Sequence, residues 1–108
     1  MEVIATREFI KSAKAIARKY RSFNADYQKF VDELSDNPRM GVDLGEGFRK
    51  VRMSISSKGK GKSGGCRVIT FDMVERNQRL YLIYAYDRSD YDSVNMAVIK
   101  RIVAEMDL

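Results

Sequence analysis

The sequence predicts an α+β fold, a single domain over residues 1–108 with four strands and elements in the order β-α-α-β-β-β-α. Three observations carry the prediction. Apolar residues recur at helical spacing in two successive N-terminal segments, residues 49–55 alternate apolar and polar, and Leu80–Tyr86 is apolar on both faces, as a central strand requires. A chain of 108 residues suits one core and buries more than about 60 % of its unfolded surface. Hydrophobic residues at 44 % and charged residues at 32 % fit a globular chain, and no apolar run approaches the roughly 20 residues of a membrane-spanning helix.

Glu2–Ala5 reads as a short first strand, after which Thr6 is placed to cap a helix starting at Arg7. Phe9, Ile10, Ala13, Ile16, Ala17 and Tyr20 give that helix one apolar face, opposite Lys11, Lys14 and Arg18. Asn24 is placed to cap a second helix with Tyr27, Phe30, Val31 and Leu34 along one side, ended by Asn37-Pro38. Residues 39–47 read as an irregular connection containing Gly41, Gly45 and Gly47. In the strand that follows, Val51, Met53 and Ile55 point one way and Lys50, Arg52 and Ser54 the other. The loop at 56–65 has no apolar residue, and the next strand runs from Cys66 to about Asp72. After a polar turn at Arg76–Arg79 and the apolar strand, Ser89-Asp90-Tyr91-Asp92 has capping-box spacing. It predicts the start of a last helix carrying Val94, Val98, Ile102 and Met106.

The charge is concentrated. Between Phe48 and Phe71 stand Arg49, Lys50, Arg52, Lys58, Lys60, Lys62 and Arg67, with no Asp or Glu; the other 13 cations face 15 anions, so the rest of the chain is slightly acidic. Clustered cations repel one another, and a polyanion relieves that repulsion while releasing its own counterions. Arg49, Lys50 and Arg52 are therefore expected contacts to a nucleic-acid backbone. Gly59 and Gly61, alternating with Lys58, Lys60 and Lys62, let the backbone approach phosphate oxygens. Gly61-Lys62-Ser63 is not a nucleotide P-loop, because position 56 is Ser and the segment joins two strands. Tyr86 and Tyr91, and less so the mid-strand Tyr84, are placed to stack on unpaired bases. Asp87, Asp90 and Asp92 fit helix capping better than a magnesium site.

With no histidine and one cysteine, zinc has no ligand set, and acid–base chemistry would fall to Lys, Arg, Tyr or a carboxylate. Cys66, among apolar neighbours, reads as a buried structural thiol. MEVIATREF has neither a basic n-region nor an apolar h-region, so a cytoplasmic protein is expected.

The stretch NPRMGVDLGEGFRKVRMSISSKGKGKSGGCRVITF, followed by LYLIYAYDRSD, resembles the RelE/ParE superfamily of toxin–antitoxin toxins, and within it the RelE/HigB-like branch. The resemblance covers Asn37 to about Asp90. It implies helices on one face of a mainly antiparallel four-stranded sheet, with RNA held on the other. It also implies a ribosome-dependent mRNA endonuclease that inhibits translation, cutting in the A site, in contact with 16S rRNA. The substrate's 2′-OH would attack the adjacent phosphate, with no metal or cofactor. Matched by motif, Lys58, Lys60 and Lys62 are the catalytic-loop lysines, Arg67 contacts the scissile phosphate and Arg88 lies near a second family cation. Where the family supplies a tyrosine in the last helix this chain has Asn95, with Tyr91 one turn earlier as the substitute. The implied partner is an antitoxin of helix-turn-helix type, with operator DNA bound only through the complex and no membrane involved. The alternatives are a ParE-like DNA gyrase inhibitor and a non-catalytic RNA-binding module.

Overall fold

A computed structural model of the chain describes residues 1–58, 64–91 and 93–108. Five strands and four helices lie among them: β1 (Glu2–Ala5), α1 (Arg7–Ala17), α2 (Phe23–Asp36), β2 (Val42–Gly45), β3 (Phe48–Met53), β4 (Cys66–Met73), α3 (Val74–Asn77), β5 (Arg79–Asp87) and α4 (Met96–Glu105). A short 3₁₀ turn occupies Ser56–Lys58. The sheet order is β1-β5-β4-β3-β2, with β1 parallel to β5 and the other pairs antiparallel.

Thr6 does two things at the head of α1. Its Oγ1 accepts from the Phe9 N–H at 3.2 Å, which caps the helix, and donates to the Leu82 carbonyl at 2.8 Å, which ties that end to β5. Phe9, Ala13 and Ile16 then turn into the core, whereas Ile10, expected on the same face, is 45 % exposed. In α2 the cap is Ser22, and Asn24 falls inside the first turn. Phe23, Phe30 and Leu34 complete this side of the core against Val51, Met53, Ile55, Cys66 and Val68.

Further expectations need correction. The sheet has five strands, because the segment at 39–47 contains β2, which turns back into β3 through Gly45-Glu46-Gly47, all at positive φ. β2 is four residues long and exposed throughout, so it carries no amphipathic alternation to announce it. Helix α4 starts at Met96, not at Ser89: Asn95 Oδ1 accepts from the Ala97 N–H at 2.9 Å, while the Ser89 N–H is taken by Asp87 Oδ1 at 2.9 Å. The helices also do not share one face. α1 and α2 cover one side of the sheet, and α4 packs on the other through Ile99, Ile102 and Val103 against Phe48, Ile69, Tyr81 and Ile83. A single helical turn, α3, replaces part of the expected polar turn at Arg76–Arg79.

A β-bulge in β5 decides what faces where. Ile69 pairs with Tyr84 and Thr70 with Leu82, which leaves Ile83 as the extra residue. Before the bulge Leu80 and Leu82 face α1 and α2. After it the alternation is out of phase, so Ala85 takes that side and Tyr84 and Tyr86 join the α4 side.

Just before β4, Gly65 has φ +84 and lies against β3, where an added Cβ would collide with the Met53 carbonyl oxygen. Gly65→Ala is therefore expected to destabilise the chain by about 1–3 kcal/mol, read as a lower urea midpoint with unchanged slope.

Candidate nucleic-acid interface

Strand register places Arg52, Arg67 and Tyr86 side by side across β3, β4 and β5, on the face that carries α4. The adjacent row is Lys50, Ile69 and Tyr84. Arg88 lies just past the end of β5, close enough to Arg67 and Tyr86 to act on both electrostatically. Burial, and then the charges of Arg52 and Arg88, hold the Arg67 guanidinium below its ordinary pKa. Among the described residues it donates one long hydrogen bond, 3.4 Å to the Cys66 carbonyl, and no carboxylate there pairs with it. Arg49 alternates onto the other face, donating to the Arg39 carbonyl at 3.0 Å and lying 3.8 Å from Asp43.

Beside this row opens a cleft of about 290 Å³ whose walls include Tyr84, Tyr86, Tyr91, Asn95 and Val98. Tyr91 stands at the surface, 59 % exposed, while Tyr86 is buried with its hydroxyl lacking a hydrogen-bond partner. Burial pushes the Tyr86 hydroxyl above its usual pKa, against the opposing pull of Arg67 and Arg88. Such a cleft offers a planar ring aromatic walls, a hydroxyl and nearby cations. A larger cavity of about 390 Å³ lies between α2 and the end of β3 and is lined by Asp26, Lys29, Glu33 and Arg52. It is less suited to an anion: two acidic side chains line it, and Asp26 is already held by Ser22 and Ser56.

Lys58 lies elsewhere. Its ammonium donates to Asp87 Oδ1 at 2.6 Å and to the Gly65 carbonyl at 2.8 Å, 5.6 Å from the centre of the Tyr20 ring. Asp87 also accepts at Oδ2 from Tyr20 at 2.7 Å and from Lys19 at 3.0 Å, and Lys19 reaches Asp90 at 3.3 Å. Burial alone would raise the Asp87 pKa, but the donors, Lys58 foremost, overcome it and hold the carboxyl well below the usual carboxylate range. The same burial, with Asp87 nearby, pushes the Cys66 thiol up to about 12, which makes it inert as a nucleophile at neutral pH.

Of the residues singled out from sequence, Arg52, Arg67, Tyr86 and Arg88 come together, Lys50 and Tyr91 flank them, and Arg49 and Lys58 do not join them. Lys60, Lys62 and Asp92 lie outside the described residues. Sequence reasoning missed Tyr20 and Lys19 as partners of Asp87. The available signal was a carboxylate ending an otherwise apolar strand, which must find cations when buried. Among the described residues no three His, Cys, Asp or Glu side chains gather as a metal set, and no helix is long and apolar enough to cross a membrane.

No family model matches the chain. Among solved structures it is similar to a double arginine-to-alanine mutant of Escherichia coli toxin RelE in the free state, with a TM-score of 0.59 and 12 % identity. The superposition covers 98 % of this chain and 96 % of that one. At such identity the likeness speaks for architecture and not for chemistry: the chain has the fold of the RelE toxin.

Proposed function

We propose that this chain is the toxin of a toxin–antitoxin pair and cleaves mRNA on the ribosome. The observation that carries the reading is the Arg52–Arg67 row, with Arg88, set against a tyrosine-walled cleft on one sheet face. Cations that repel one another at rest are stabilised when a phosphate enters, and more so as its charge grows. The 2′ oxygen attacks the adjacent phosphorus, the bond from phosphorus to the 5′ oxygen breaks, and a 2′,3′-cyclic phosphate and a 5′-hydroxyl result. One proton leaves the 2′-OH and one reaches the departing oxygen. Arg67 and Arg88 neutralise the phosphorane, Lys60 and Lys62 bring further positive charge, and Tyr91 with Tyr86 seats a neighbouring base. In this reading the protein works in the cytoplasm and its antitoxin covers the arginine row.

The test is addition of the purified chain to a translating ribosome system. Cuts within mRNA codons at the A site support the reading. Intact mRNA together with blocked gyrase supercoiling would replace it with the ParE-like one. Tyr91→Ala, at an exposed position, is expected to weaken RNA engagement by about 1–3 kcal/mol through lost stacking, seen as a higher half-saturating toxin concentration with an unchanged melting curve.

A further inference from the structure

Lys58 is the first of the three lysines that alternate with glycine, yet its side chain is only 11 % exposed and faces a carboxylate that is 1 % exposed. An ammonium has three donors. Here one goes to Asp87 at the end of β5 and another to the Gly65 carbonyl just before β4. Cys66, next to Gly65, is the register partner of Asp87, so the ammonium bridges the ends of two neighbouring strands. Tyr20, beyond the end of α1, braces the assembly through its hydroxyl on Asp87 and its ring near the Lys58 ammonium. Gly65 lies two residues before Arg67, and Asp87 stands between Tyr86 and Arg88.

We propose that Lys58 is a positioning residue: by clasping Asp87 and Gly65 it sets the places of Arg67, Tyr86 and Arg88. What is positioned rests on the endonuclease reading; the clasp itself does not. Lys58 thus acts through the arginine row and does not touch the reacting phosphate. Fixing cations from behind matters because a displacement of about 1 Å in a reacting group costs on the order of a hundredfold in rate.

The test is Lys58→Met in the full chain, with Lys58→Arg as the conservative variant. Asp87 keeps Lys19 and Tyr20 in both, so its carboxylate is not stranded. On programmed ribosomes the Met variant is expected to cut roughly ten- to a hundredfold more slowly in single turnover, with a half-saturating concentration within about twofold of wild type. The Arg variant is expected to recover most of that rate. Trypsin, which reports the clasp without reference to catalysis, is expected to cut after Arg67 and Arg88, beside the clasped Gly65 and Asp87, several-fold faster in the Met variant. A wild-type cleavage rate in the Met variant overturns the proposal, and so does unchanged trypsin cutting. If the wild-type chain cuts no mRNA, the endonuclease reading fails and the trypsin measurement alone decides the clasp. Lys58→Gln serves as the second variant if Lys58→Met does not fold.

Discussion

Arg67→Ala is expected to lower single-turnover mRNA cleavage by about a hundred- to a thousandfold, the usual cost of removing one donor aimed at developing negative charge. The same change is expected to leave stability unaltered or slightly higher. Arg67 is the direct cross-strand partner of Arg52, and like charges so placed destabilise a sheet by a few tenths of a kcal/mol to about 1 kcal/mol. Arg88 adds to that repulsion, and partial burial of the guanidinium adds a desolvation cost. Alanine removes all three costs while giving up the packing of the arginine stem. Urea unfolding alongside the ribosome assay separates the two effects. A variant that cuts at the wild-type rate would remove Arg67 from the chemistry, and one that lost activity only by unfolding would make its role structural.

The second large effect belongs to Asp87→Ala, expected to cost about 3–5 kcal/mol because it leaves Lys58 buried without a carboxylate. Domains of this kind have roughly 5–15 kcal/mol in total, so the loss shows clearly in a thermal melt. The pH dependence has a defined sign. Asp87 titrates below its unfolded value, so its contribution is fully present above about pH 4 and disappears as the pH falls further, through the depressed folded value. The gap between wild type and Asp87→Ala should accordingly be constant near neutrality and close in acid. A gap that widened in acid would mean that the carboxyl is not ionised in the folded chain.

How far the sequence went depended on whether a residue's partner was near or far along the chain. Val51, Met53 and Ile55 showed their strand directly, since alternation is a property of the segment itself, and LYLIYAY showed a central strand for the same reason. The RelE-like architecture followed from the resemblance across Asn37–Asp90 and agrees with the structure it superposes on. β2 was invisible because four exposed residues leave no pattern. The start of α4 was misplaced because Ser89 had the right spacing, and only the folded chain gives its N–H to Asp87. In the candidate site, charge and aromatic content single out Arg67 and Tyr86, which the strand register sets side by side. The situation of Lys58 was not, because the carboxylate that holds it is 29 residues away.

The single unpaired step at Ile83 gives β5 two different vocations along its length. Its first half is written for packing, with Leu80 and Leu82 toward one core and Tyr81 toward the other, whereas its second half sends Tyr86 toward the arginines and leaves Asp87 to the lysines. Without that extra residue the tyrosine and the carboxylate would exchange sides, and an anion would stand beside Arg52 and Arg67. One inserted amino acid thus serves as a polarity switch, giving the strand a cationic surface on one side and a neutralised anchor on the other.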